Sequence, residues 1–321
     1  MVINLDRLMS IRIFGFIGNW SPFLIAFMIV ASIVYFLITM KWYKDIPGGR
    51  KLKTSEFWMS VSVIILFYIT FGSPVDILSH ILFTFHMIQM ALGLLLIPPM
   101  LYFAIPDYLW AYMIKLPVLR VFHKIGQKPL LALVLFCGAF SLYHIPKVMD
   151  TLKLNQSLHF ASLGVLFILA VIAFWPVLNK VDSPEKHMNY LFKTLYVFGI
   201  GGLLLPACAM IIFTETPMFK TYTESAAWLK SMELCVPAGV LDSLKDQNMI
   251  SGPEYFSNMS PLSDQRTGGV IMKILQEVFF GFIIAYLFIK WWNQESKDPD
   301  EVTRRSLEAA NERKKMEELY R

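Results

Sequence analysis

The stretch ILSHILFTFHMIQMALGLLLIPPMLYF, residues 77–103, contains no Asp, Glu, Lys or Arg. About 20 apolar residues in a helix cross the hydrocarbon core of a bilayer, so this run reads as a membrane span. Its polar content is unusual: His80, His86 and Gln89, with Met87 and Met90 alongside. Intramembrane polar groups are costly and ordinarily face the interior of a helix bundle.

The rest of the chain repeats the pattern. Of 321 residues, 56% are hydrophobic and 17% charged, with a mean hydropathy of +0.53, against about a quarter charged in an ordinary soluble domain. Apolar runs fall at about 20–40, 56–71, 77–103, 129–145, 157–178, 190–213 and 269–292. None alternates with period two, and only helices or closed barrels satisfy their backbone in lipid. The expected fold is an all-α integral membrane protein with seven transmembrane helices. Pro98-Pro99 is expected to kink or end the third span, and Gly201-Gly202 with Pro206 to loosen the sixth or let helices approach closely.

Basic residues set the expected orientation. Lys41, Lys44, Arg50, Lys51 and Lys53 follow the first span, and Lys115, Arg120, Lys124 and Lys128 follow the third. The tail after Trp292 adds more, whereas 72–76 has none and 146–156 only Lys147 and Lys153. The positive-inside rule then places the N-terminus outside and the C-terminus in the cytoplasm. The expected organisation is an extracytoplasmic interfacial segment (1–19), a transmembrane domain (20–292) with a long outer loop (214–268), and a charged cytoplasmic tail (293–321). The net charge of +5 is read as a topology signal toward the lipid bilayer, not as a nucleic-acid footprint. Cys137, Cys208 and Cys235 form no CxxC spacing, and the first two read as small buried apolar residues.

Topology makes the histidines informative. His123 and His187 fall in basic loops and read as surface residues. His80, His86, His144 and His159 come from three spans to the outer half of the membrane. On a continuous third helix at about 100° per residue, with His80 at zero, Met87, Met90 and His86 lie at roughly −20°, −80° and −120°. They would share one arc, with His86 about 9 Å deeper than His80 at about 1.5 Å per residue.

Imidazole and thioether together suit copper, with Met favouring Cu(I). The expected metal ligands are His80, His86, His144 and His159, assisted by Met87 and Met90. Two other readings stay open. One is bis-histidine haem, pairing His86 with His144 or His159. The other is a metal-free scaffold in which the histidines bond between helices. No G-x-S-x-G, H-E-x-x-H or P-loop pattern occurs, so no enzymatic turnover is expected.

Several segments together resemble the CtaG family, the assembly factors of caa(3)-type cytochrome c oxidase. They are GSPVDILSHILFTFHMIQM with IPPM (72–100), LYHIPKVMD with SLHF and FWPVL (142–178), and SPLSDQRTGGVIM (260–272). They stand in the family's order and cover most of the chain except the termini and outer loop. The resemblance implies a bacterial plasma-membrane factor whose partners are cytochrome c oxidase subunits. It matches His86 to the first histidine of an H-M-x-Q-H pattern and His80 to the one before it. His144 matches a W-H-x-P-like stretch, His159 the second histidine of an H-x-x-x-H pair, and Asp264-Gln265 a D-Q pair opening the last helix. For Asp264, a helix N-cap is the plain expectation. Two family histidines are replaced, by Met90 and Asn155. Met90 either keeps a soft ligand and tunes the site toward Cu(I) or marks a site being lost, and Asn155 is expected at most to orient a ligand.

Overall fold

The computed structural model describes residues 9–183, 187–233, 236 and 252–296. Among these every regular element is helical. The helices used below are α1 (Pro22–Met40), α2 (Thr54–Gly72), α3 (Pro74–Ile81), α4 (Phe83–Met90) and α5 (Ile97–Ala104). They continue with α6 (Pro117–Gly126), α7 (Pro129–Tyr143), α8 (Pro146–Lys153), α9 (Gln156–Leu178), α10 (Tyr190–Phe213) and α11 (Pro261–Glu295). Their starts follow local chemistry. Ser21 and Ser260 accept from the backbone of Leu24 and Ser263, each followed by a proline whose missing N–H costs nothing in a first turn.

Six stretches are long and apolar enough to cross a membrane: Ile11–Met40, Thr54–Ile81, Phe83–Ala104, Gln156–Leu178, Tyr190–Phe213 and Pro261–Glu295. The fourth expected span, 129–145, is the exception, and passes the same test only together with the helix before it, as a bent pair that would make seven. Its 15-residue α7 rises only about 22 Å, and the preceding α6 turns away from it by 100°.

The second and third spans divide differently from the expected turn at 72–76. Ser73 does not reverse the chain. Its hydroxyl donates to the Ile69 carbonyl and accepts from Val75 N–H at 3.2 Å, stitching α2 to α3, and the pair counts as one crossing. The reversal comes at Leu82, whose backbone is extended at φ −124°, ψ 133°. Gln89 on α4 then reaches back to the Asp76 carboxylate at 2.6 Å and the Thr70 carbonyl at 3.0 Å. Such contacts arise only if α4 returns antiparallel beside α3 and the end of α2.

Pro98-Pro99 does not end the third span. A π-helical turn, Ala91–Leu96, precedes them and the helix runs on to Ala104, the wider turn absorbing the carbonyls that prolines leave unbonded.

The core lies between α4, α5, α7, α9, α10 and α11, around Phe136, Phe140, Phe174, Ile200, Leu204 and Met272. Cys137 and Cys208 are buried, free thiols, as expected; Cys235 lies outside the described residues, as do 1–8 and the tail from 297. Helix α1 stays at the periphery with Phe23, Phe27 and Val30 exposed, the surface a lipid phase would cover. Close approach of α11 rests on Gly268 and Gly269. A Cβ at the first would lie 2.9 Å from Phe83 Cδ1, and at the second 2.7 Å from Ile212 Cγ1.

The long 214–268 segment is packed down where described. Phe219, Tyr222, Trp228 and Phe256 are buried. Phe219 stacks on Phe83 at 4.7 Å, and Phe256 stacks on Phe14 from the N-terminal segment at 5.5 Å.

Candidate functional site

All four singled-out histidines are at one end of the bundle, and all are buried. His80 is in the last turn of α3, His86 in the first turn of α4, His144 at the C-cap of α7, and His159 in the first turn of α9. Because the chain reverses at Leu82, His80 and His86 stand on opposite arms of a hairpin. The single helical stripe drawn from 100° steps does not form.

The fold sorts the rings into two pairs instead. His80 and His159 have centroids 5.2 Å apart, and His86 and His144 5.9 Å apart. Each ring has a buried nitrogen without a hydrogen-bond partner: Nδ1 of His80 and His159, Nε2 of His86 and His144. His144 is the best defined. Its Nδ1 lies 2.8 Å from the Phe140 carbonyl; a carbonyl only accepts, so the proton is on Nδ1 and Nε2 presents a lone pair. A carbonyl behind the far nitrogen is the usual support of a metal-binding imidazole.

The spacing fits two-coordinate ligation. A metal–nitrogen bond of about 2.0 Å on each side of one ion, added to the ring radii, puts centroids about 6 Å apart when linear and closer when bent. Among the described residues no three His, Cys, Asp or Glu side chains gather around one point. The arrangement is two pairs, not one four-ligand cage. Met87 and Met90 are buried in the apolar core beside Phe83 and Phe136. Asn155 is exposed, and its side-chain oxygen caps α9 by accepting from Leu158 N–H at 3.1 Å.

The pairs differ in access. An open cleft of about 690 Å³ is walled by Asn19, Ser73, Asp76, His80 and His159 with apolar partners such as Phe71 and Phe167. His86 and His144 are enclosed by Phe83, Phe140, Tyr143 and Tyr222.

Asp264 holds the hairpin turn. Its carboxylate accepts from Phe83 N–H at 2.7 Å and Thr84 N–H at 3.1 Å, and Thr84 Oγ1 donates to its carbonyl at 2.9 Å. It is an N-cap, but of α4; its own helix is capped by Ser260. Gln265 beside it donates to the Ile211 carbonyl and accepts from Met218 N–H.

Three residues that sequence reading passed over complete the site. Lys153, counted there only as a loop charge, is fully buried. Its Nζ donates to Tyr222 Oη at 2.6 Å and contacts the Ser79 carbonyl at 3.4 Å, 4.4 Å from the Tyr222 ring centroid. Tyr222 Oη donates to the Ser79 carbonyl at 2.7 Å. Asp150 accepts from the backbone N–H groups of Lys220 and Thr221 and from Thr221 Oγ1, fixing the turn that carries Tyr222. The one sequence signal was the position of Asp150 within LYHIPKVMD.

At the other end of the bundle His123 and His187, expected as surface residues, are partly exposed and hydrogen-bonded. His123 Nε2 lies 2.8 Å from Asp182, which also accepts from Trp175 Nε1 and Gln127, while His187 Nε2 lies 3.1 Å from Asn179 Oδ1.

Comparison with known proteins adds a family. Residues 33–294 match the family model described as cytochrome c oxidase caa3 assembly factor. No curated protein and no solved structure matches the chain.

Proposed function

Since the chain belongs to the cytochrome c oxidase caa3 assembly factor family, we propose that it serves maturation of that oxidase by carrying copper. The ion is cargo, taken up as Cu(I) on paired histidines and passed by ligand exchange to an empty copper site of an oxidase subunit. The observation that carries this reading is the set of four buried ring nitrogens without partners, paired at 5.2 and 5.9 Å. Leaving a buried polar group unsatisfied costs about 1–3 kcal/mol, and a metal ion relieves two at once.

Two-coordinate neutral nitrogen sites suit a soft monovalent ion. The pair facing the cleft, His80 and His159, is the accessible station, and the enclosed pair, His86 and His144, the protected one. Met87 and Met90, one and four residues beyond His86, are the soft donors nearest to it in sequence. The charge bias of the loops supports reading this end as the outer face of a bacterial plasma membrane, where an oxidase subunit would receive the ion. Haem fits less well. The rings of Tyr143, Tyr222 and Phe140 around the enclosed pair fill the space a porphyrin would need.

The test is metal analysis of the purified full chain after loading with Cu(I), beside a His86→Ala/His144→Ala variant. The expected result is bound copper in the parent and a clear loss in the variant. A parent that holds no copper, or a folded variant that holds as much, refutes the reading. Oxidase activity after deletion of the gene tests the assembly role separately.

A further inference from the structure

Helix α11 carries a charged pair where a bilayer is driest. Between Arg266 and Lys290 its only charged residues are Lys273 and Glu277. At about 1.5 Å per residue, Glu277 lies about 17 Å along the helix from the first and about 20 Å from the second. That is near the middle of a hydrocarbon core about 30 Å thick. Lys273 Nζ meets Glu277 Oε1 at 2.7 Å, and Gln276 Nε2 approaches the same oxygen at 3.4 Å. Gln276 is fully buried, but the Glu277 side chain is 61% exposed. Ionisable groups at such depth are costly and almost always face the interior of a bundle. This one faces outward.

The same face holds a second anomaly. With Glu277 at zero and about 100° per residue, Lys273, Gly281 and Ala285 lie at roughly −40°, 40° and 80°. Gly281 and Ala285 are exposed, and a Cβ added at Gly281 would meet nothing within 4 Å among the described residues. A glycine inside a helix weakens it relative to alanine. Gly268 and Gly269 are required by close contacts within the chain, and Gly281 is not. Small residues four apart are where another transmembrane helix can approach closely.

We propose that a second copy of the chain docks on this face of α11, helix against helix, with the ion pair shared across a two-fold axis. The charges name the occupant. Two copies inserted in one orientation meet with α11 parallel and like residues at like depth, and a two-fold contact requires a self-complementary patch. Because Lys273 reaches its own Glu277, ammonium and carboxylate stand at one level on each copy. The two-fold then sets the ammonium of one copy beside the carboxylate of the other, and each charge gains a second partner of opposite sign while leaving the lipid. Val270, Ile274 and Phe288, exposed along the same face, would be covered by the same contact. The inference goes beyond the copper reading and does not depend on it.

The experiment places the labelled full chain in lipid vesicles at falling protein-to-lipid ratio and counts subunits per particle by single-molecule photobleaching. Gly281→Leu fills open space and leaves the monomer intact. Glu277→Lys makes the patch uniformly positive, and adding Lys273→Glu to it restores opposite signs. The expected result is dimers in the parent and association at least about tenfold weaker in Gly281→Leu and in Glu277→Lys. The Lys273→Glu/Glu277→Lys double variant should return to within about threefold of the parent. A parent that stays monomeric at every ratio, or folded variants that dimerise as the parent does, overturns the inference. Mild oxidation of a Gly281→Cys chain in native membranes, with the parent as control for the native cysteines, identifies the occupant. A disulfide-linked species of twice the chain's mass supports the second copy. Linkage only to a different protein, or to none, overturns it.

Discussion

Thr84 and Asp264, 180 positions apart, are joined twice. The Thr84 N–H donates to the aspartate side chain at 3.1 Å, and the threonine hydroxyl donates to the aspartate carbonyl at 2.9 Å. With Phe83 N–H on the other carboxylate oxygen, the last span supplies the cap that the first turn of α4 lacks. Replacing Asp264 by alanine leaves two buried N–H groups unbonded. An N-cap is worth about 1–2 kcal/mol, more where no water can substitute. Asp264→Ala should therefore lower the thermal midpoint of the detergent-solubilised protein and reduce copper retention together. Asp264→Asn, which keeps one acceptor, should lie between. Unchanged copper content in a destabilised Asp264→Ala protein would show that the hairpin turn does not position His86.

Two glycines provide an internal contrast. At Gly268 a Cβ would sit 2.9 Å from Phe83 Cδ1 and 3.1 Å from the Thr84 Cα, whereas at Gly202 nothing lies within 4 Å. Gly268→Ala is expected to destabilise by about 1–3 kcal/mol through overpacking. Gly202→Ala, inside helix α10, should be neutral or stabilising by up to about 1 kcal/mol. Parallel thermal melts of the two variants check the ordering.

The 220–222 turn depends on one carboxylate. Asp150 accepts from Lys220 N–H, Thr221 N–H and Thr221 Oγ1 at 3.1, 3.0 and 2.9 Å. Asp150→Ala should free the segment that presents Tyr222, seen as faster proteolytic cleavage between 214 and 232 with the spans intact. A cleavage rate equal to the parent's would mean that the buried aromatic contacts of Phe219 hold the segment alone.

At the far end Asp182 gives a pH dependence. Burial pushes its carboxyl up, but hydrogen bonds from Trp175, His123 and Gln127 outweigh this and hold it below the ordinary carboxylate value. A carboxyl lowered in the folded state contributes its stability in full above the unfolded value of about 4, and loses it as pH falls through the folded value. Between about pH 6 and pH 3 the parent should lose more thermal stability than Asp182→Asn. Parallel curves would assign the acid sensitivity to other groups.

Membrane helices were legible because a run of about 20 apolar residues has few other uses. The bounds of α9 and α10 differ from the sequence expectation by a residue or less at each end. The hairpin was not legible. Gly72-Ser73-Pro74 carries the stronger turn signal, yet Pro74 merely starts a helix there. Ile81-Leu82-Phe83 carries none, because the groups that stabilise its reversal come from Asp264. The histidines were identifiable as a group from topology, but which ring meets which depended on that reversal. Lys153 and Tyr222 gave no local signal, since a lysine in a short loop reads as solvated and its burial depends on contacts distant in sequence, those with Ser79 and Tyr222 among them.

The long-range cap at Leu82 also orders events in time. A ribosome delivers His80 and His86 early, and His144 and His159 well before the chain is finished. Phe83 and Thr84 cannot receive their cap until Asp264 emerges at the head of the last span. A nascent chain stopped short of that residue would carry all four histidines without the clamp that fixes their pairing. Completion of the polypeptide thus fixes how the rings pair, and a half-made protein would hold its four histidines in no settled arrangement.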